Sequence, residues 1–140
     1  MMRVVLDTNV LVSGLRSKRG TSHRLLRLLG RGKFTTCVSV PLVVEYEKAL
    51  LDPDSGVPFG RRDVEKFIHY VCTVSDRRKV YFLWRPFLRD AKDDMLLELA
   101  VAGRCRYVVT FNVRDFKGVE QFGMEAITPK DFLGRIGELK

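Results

Sequence analysis

The sequence is poor in the residues that staple small proteins. Among its 140 residues are three cysteines, Cys37, Cys72 and Cys105, odd in number and far apart. No CxxC or His–Cys cluster accompanies them, which excludes an ordinary zinc site and a disulfide framework. They read as small buried apolar residues of a protein kept in a reducing cytoplasm. Long apolar runs are also absent. No stretch approaches the ~20 uncharged apolar residues a bilayer requires, so no membrane span is expected. The run Val4-Val5-Leu6 is cut by Asp7, leaving no apolar region of a signal peptide. There is no internal repeat, no low-complexity tract and no linker long enough to divide domains. With 46% apolar and 30% charged residues, the composition is that of a globular protein rather than a disordered chain or a rod. A single domain over residues 1–140 is therefore expected.

Negative charge is missing from one long stretch. Between Thr8 and Val44 there is no Asp or Glu, while Arg16, Lys18, Arg19, Arg24, Arg27, Arg31 and Lys33 lie within it. These cations supply most of the formal net charge of +8. Such a segment is either a solvated basic helix face or a surface that meets a polyanion, because Lys and Arg contacts to phosphates dominate nucleic-acid affinity. An anionic membrane is a weaker option, since no amphipathic helix here carries a Trp- or Phe-rich insertion face.

Strands alternate with helices along the chain. Arg3 to Leu6 reads as a short buried strand ending at Asp7. Val10 to Leu15 continues apolar, and 17–20 is a turn. Thr21 and Ser22 are N-cap candidates for a helix through Leu29, with leucines on one face and Arg24, Arg27 and Arg31 on the other. Phe34 to Val38 is a second strand. Ser39 caps a helix running to about Leu51, with Pro41 in its first turn. Asp52 to Gly60 is a loop. Arg61 to Val71 is a helix with Val64, Phe67, Ile68 and Val71 as its apolar stripe. Lys79 to Leu83 is a strand candidate. A helix opens within Asp90 to Asp94 and stops at Gly103. Tyr107 to Thr110 and Glu125 to Ile127 are strands, and Thr128-Pro129 opens a terminal helix. The alternation predicts an α/β domain: a central, mainly parallel sheet of four to five strands flanked by helices.

Ligands of open α/β sheets bind outside the carboxyl ends of the strands. Asp7-Thr8-Asn9 follows the first strand. Thr110-Phe111-Asn112, with Asp115 close behind, follows the Tyr107 strand. Asp90, Asp93 and Asp94 open the helix feeding that strand, and Glu45 sits in the helix after the second strand. Each has an ordinary explanation as a turn, cap or solvated residue. Their joint placement on one rim is more informative. Two carboxylates ~5 Å apart at an effective dielectric of ~20 repel by roughly 3 kcal/mol, so four need a compensating cation to stay ionised together. Oxygen donors of this kind suit Mg²⁺ or Mn²⁺. An acidic pocket inside a basic protein fits a phosphodiester.

These stretches resemble the PIN domain family of metal-dependent ribonucleases, and most closely its VapC-like branch of toxins from toxin–antitoxin modules. VVLDTNVLVSGL is similar to the family's opening strand and first motif, and Ser39 to Glu45-Tyr46 to its second. RDAKDDMLLELA is similar to the third, VVTFNVRDF to the fourth and GMEAITPKDFL to the C-terminal strand and helix. The resemblance spans nearly the whole chain. It implies catalytic and metal-holding roles for Asp7 and Glu45, and for Asp93, with Ala100 seven positions on. Asp94 is the alternative third carboxylate. Thr110 matches the hydroxyl residue beside the metal. Asn112 stands where many relatives carry Asp, and Asp115 is placed to supply the missing charge.

The resemblance also implies single-stranded RNA cleavage by a metal-activated water, a small antitoxin partner and homodimers. Arg16, Lys18, Arg19 and Arg24 are the candidates for RNA contact. Two other readings remain. One is a non-catalytic basic module that binds RNA or protein on the same fold. The other is an aspartate-based phosphotransfer domain using Asp7 as nucleophile. The latter would want a second Asp where Asn9 stands, and a Lys directly after Thr110, which is absent.

Overall fold

A computed structural model of the chain describes residues 1–80 and 87–139. Five strands form one sheet in the order β3-β2-β1-β4-β5: β1 (Arg3–Leu6), β2 (Thr35–Val38), β3 (Asp76–Arg77), β4 (Tyr107–Val109) and β5 (Glu125–Ile127). Every pairing is parallel. Val4, Val5 and Leu6 face Tyr107, Val108 and Val109, which in turn face Glu125, Ala126 and Ile127. On the other side Arg3 and Val4 face Thr35 and Thr36. The chain leaves β1 to build one side of the sheet and returns next to β1 to build the other. The topological switch point therefore lies between β1 and β4, where parallel α/β sheets open a crevice at their carboxyl ends.

Among the described residues the helices are α1 (Thr8–Arg16), α2 (Thr21–Arg27), α3 (Val40–Leu51), α4 (Arg61–Val74) and α5 (Ala91–Ala102), which lie between strands, and α6 (Pro129–Arg135), which follows β5. Val4, Val5 and Val108 are completely buried between these layers, as a two-sided parallel sheet requires. Leu96 to Ala100 of α5 are all buried, so this helix is core on most of its circumference. Phe132 of α6 packs edge-on against Phe34 and Tyr107, closing the far end. No helix among the described residues is long and apolar enough to cross a membrane.

Most expected elements appear where their patterns place them. Ser39 accepts from the Leu42 N–H as the α3 cap, and Thr128 caps α6 in the same way from Asp131. Several expectations are corrected. The apolar run 10–15 belongs to α1, which begins directly after Asp7. Gly20, not Thr21 or Ser22, occupies the N-cap position of α2, and that helix ends at Arg27. Ser22 is buried within it instead, its hydroxyl without a partner among the described residues. α4 runs three residues beyond Val71.

A two-residue strand, β3 at Asp76–Arg77, precedes the stretch 79–83 where a strand is expected. Lys79 and Val80 are outside any strand, and 81–83 lie outside the described residues. β3 is polar because it is an edge held by charge. Arg3 ion-pairs with Asp76 and also donates to the Gly103 carbonyl (2.7 Å) and the Cys37 Sγ (3.1 Å). All three cysteines are free; Cys37 and Cys105 are buried, but Cys72 is only half-buried.

α1 and α2 meet at Gly14. A Cβ there would sit 2.4 Å from Leu26 Cδ1 and 3.1 Å from the Ser22 carbonyl oxygen, and a backbone atom cannot swing away as a side chain can. Gly14→Ala should therefore destabilise the chain by about 1–3 kcal/mol, the usual range for overpacking. Urea denaturation measures this, and an unchanged midpoint would show that the two helices separate freely.

Candidate active site

The site is built from the ends of the two central strands. Asp7 ends β1 and stands at the N-cap position of α1, yet its side chain makes no capping hydrogen bond to that helix. It turns towards β4, where the fully buried Thr110 hydroxyl donates to Asp7 Oδ2 at 2.7 Å. The same Thr110 oxygen accepts from the Asn112 N–H at 3.0 Å, which starts the turn that carries Asn112 and Asp115. The Asp7 N–H donates to the Val109 carbonyl (2.9 Å), so main chain and side chain both tie the two strand ends together.

Glu45 arrives from α3. Its neighbour Tyr46 is buried and donates its hydroxyl to the Leu6 carbonyl, one residue before Asp7. Burial, with the Asp7 charge nearby, pushes the Tyr46 phenol well up, so it stays a neutral donor. Glu45 itself is ion-paired with Lys92 of α5 at 3.6 Å.

Asp90, the N-cap of α5, accepts from the Lys92 N–H at 2.9 Å. The two acids that follow point to different work, since adjacent helix positions do not share a face. Asp93 lines the cleft. Asp94 accepts from the N–H groups of Phe87 (3.2 Å) and Leu88 (2.9 Å), holding the backbone that enters α5.

A cavity of about 680 Å³ gathers Asp7, Glu45, Asp90, Asp93, Asn112 and Asp115. Five carboxylates and, with Asn9, two amides from four separate segments thus line one hollow. Burial chiefly, and then the charges of Asp7, Asp90, Asp115 and Asp94, push the Asp93 carboxyl up to about 6. Asp7 is raised too. Burial is the main cause, Asp115 and Asp90 add to it, and the hydrogen bond from Thr110 and the nearby Thr8 N–H dipole oppose it.

The donor set is hard oxygen throughout, which suits Mg²⁺ or Mn²⁺. Burial is the main reason these carboxyls are raised, and the neighbouring acids add to it, an environment in which a nearby cation would favour the ionised forms. The fit is nevertheless one of composition and placement. Among the described residues, no three acidic, His or Cys side chains stand ready to hold an ion together.

Of the four cations assigned to RNA contact, Arg16 lines this cavity. Lys18, Arg19 and Arg24 do not. Sequence reasoning gave no role to three other residues in the lining. Asn9 accepts from the Phe111 N–H at 3.4 Å, and its position in Asp7-Thr8-Asn9 was the available signal. Phe111 is 45% exposed, an apolar ring on the rim of an acidic hollow. Lys92, embedded among Asp90, Asp93 and Asp94, is the counter-ion of Glu45.

A PIN domain family model matches residues 3–114 of the sequence. The chain belongs to the PIN domain family. The fold is similar to VapBC2 from Rickettsia felis bound to a DNA fragment from its promoter, with TM-score 0.62, 13% identity, and coverage of 91% of this chain and 98% of that one. It is also similar to a domain of a functionally unknown protein from Methanocaldococcus jannaschii, with TM-score 0.54, 20% identity and 91% coverage of both chains. No curated protein matches the sequence significantly. At these identities the two structures speak for the fold alone, and the family membership rests on the sequence match.

The raised carboxyls fix a pH dependence. Between the ordinary carboxylate value of ~3.9 and about 6, the folded chain holds more protons than the unfolded one. In metal-free buffer the unfolding free energy should therefore fall as pH rises from about 4 to about 6 on account of these groups, and this contribution should level off above. Asp93→Asn removes the group with the larger effect. Thermal midpoints in EDTA should show a flatter pH profile for this variant and, at about neutral pH, a higher midpoint than the wild type. Coincident profiles would mean that Asp93 is not strained by its neighbours.

Proposed function

We propose that this PIN domain is a Mg²⁺- or Mn²⁺-dependent endoribonuclease, acting as the toxin of a toxin–antitoxin pair in the cytoplasm. The observation that carries the reading is the convergence of Asp7, Glu45, Asp93, Asn112 and Asp115 on one cavity at the sheet's switch point. The basic net charge of +8, Arg16 in the cavity wall and the exposed Phe111 ring support a polynucleotide over a small phosphoester.

Asp7, Glu45, Asp93, Asn112 and Asp115 are the residues that would hold the metal. The chemistry a bound Mg²⁺ or Mn²⁺ supplies is neutralisation of charge on a phosphoryl oxygen and acidification of water. Thr110 holds Asp7 in its ionised, correctly turned state by donating to Oδ2. Glu45, released from Lys92, is placed to accept a proton from the attacking water. Arg16 contacts the phosphate backbone, and Phe111 offers a π-face to a base. No Ser, Cys or His stands in the cavity paired with a base as an activated nucleophile among the described residues, which favours direct attack by water on phosphorus. An antitoxin partner belongs to the same reading, supported by the fold likeness to VapBC2; a homodimer enters it only through the family resemblance.

A second reading, a non-catalytic RNA- or protein-binding module, draws support from the Glu45–Lys92 pair and from the lack of a ready-made ion-holding trio among the described residues. One experiment separates the two. Wild-type protein should cleave mixed single-stranded RNAs in Mg²⁺ or Mn²⁺ and lose that activity in EDTA. Asp7→Asn should lower the rate by more than about a hundredfold, beyond the ~10–100-fold typical of an outer-shell change. Thr110→Val should fall within that ~10–100-fold range, because it removes only the donor that orients Asp7. Equal cleavage by wild type and Asp7→Asn, or no divalent dependence, would overturn the nuclease reading.

A further inference from the structure

The acidic cavity does not end at its own wall. Asp90, Asp93 and Asp115 also line a second hollow of about 560 Å³, whose remaining lining includes Phe87, Arg89, Arg114 and Lys117. The two hollows meet along this seam of acids. Arg16 and Lys92 lie in the first, and three further cations lie in the second. Arg89, Arg114 and Lys117 are exposed, and none makes an ion pair among the described residues.

The walls of this second hollow are fixed by packing. On one side, Asp94 accepts from the N–H groups of Phe87 and Leu88 and so holds the segment bearing Arg89. On the other, a 3₁₀ turn over Val113–Phe116 carries Arg114, with the Phe116 ring buried beneath it. Gly118 then takes φ +96°, and a Cβ there would meet the Phe87 ring at 3.2 Å, so the two walls touch at this point. The Phe87 ring packs edge-on against Phe122 at 5.2 Å, completing the clamp.

We propose that this second hollow is the other half of a strand-binding cleft, in which Arg89, Arg114 and Lys117 hold the phosphodiester backbone of single-stranded RNA beyond the phosphate at the acids. The inference rests on the nuclease reading and extends it to the substrate's path. A strand laid over the acid seam is repelled there, so cations on both sides are what keep it in place. Arg16 and Lys92 serve one side, and the three cations serve the other. The contiguous basic segment around Lys18, Arg19 and Arg24 lines neither hollow.

The test measures binding and needs no turnover. The full chain carrying Asp7→Asn is titrated in EDTA with a fluorescein-labelled RNA decamer over a range of salt concentrations. Adding Arg114→Gln and Lys117→Gln should lower the salt slope by about 0.7 for each phosphate that is no longer neutralised, hence by about 1.4 for two. A control with Arg62→Gln and Lys66→Gln, on α4 outside both hollows, removes the same net charge and should leave the slope near its starting value. A dinucleotide, too short to reach the second hollow, should bind both variants equally.

Circular dichroism verifies folding, and Arg89→Gln provides an independent single-site version should the double change unfold the chain. Equal slopes for the trough and control variants would overturn the proposal. Cleavage by the wild type together with equal slopes would sink the trough alone. A reduced trough slope in a protein that never cleaves would sink the nuclease reading and leave the binding cleft standing.

Discussion

The hydrogen bond from the buried Thr110 hydroxyl to Asp7 joins the carboxyl ends of the two parallel strands between which the order of strand addition reverses. Its environment is what makes it consequential. Asp7 is raised by burial, so its ionised form is costly, and the Thr110 donor is one of the few groups that lower that cost. Because the same hydroxyl oxygen also accepts from the Asn112 N–H, the direction of the Asp7 carboxylate and the path of the following turn are set together. The positions of Asn112, Asp115 and the Phe111 ring all follow from where that turn starts.

The acids around this bond oppose the fold that gathers them. Asp93 and Asp7 both shift towards protonation, chiefly because they are buried and in smaller part because the other acids lie near. Lys92 answers part of this charge by pairing with Glu45, but its side chain is 66% exposed and the separation is 3.6 Å. Such a pair contributes about 0–1 kcal/mol at most. Glu45 is therefore only loosely held by Lys92, and the pair separates at little cost.

The order of strands and helices was legible because burial on both faces forces near-continuous apolar strands, and because caps such as Ser39 and Thr128 mark helix starts. α1 was not legible as a helix. The short apolar run at 10–15 carries no decisive periodicity, and Asp7 lacks the capping bond that would have explained it. β3 was not legible because Asp76–Arg77 has no apolar signature. It pairs with β2 through backbone bonds and is pinned by Arg3, a residue 73 positions away. At the site, residues in motifs were legible: Asp7, Asp93, Thr110 and Asn112 lie in or beside strand and helix ends, and Glu45 lies in the helix that follows β2. The cations of the second hollow were not. Arg89, Arg114 and Lys117 occur singly, among acids, whereas the conspicuous run from Lys18 to Arg24 lies away from both hollows.

Tyr46 connects the interior to this chemistry. Its ring is buried in the core, while its hydroxyl grips the carbonyl of Leu6, adjacent in the chain to Asp7. Glu45 is its immediate neighbour on α3. The distance between the first and second acids is thus triangulated from the protein's dry centre. Drift in the solvent-facing residues of α3, including the bare Val40 and Val44, can proceed without altering that spacing. A slip of Tyr46 would shift the reach of Glu45 even with every acid still present.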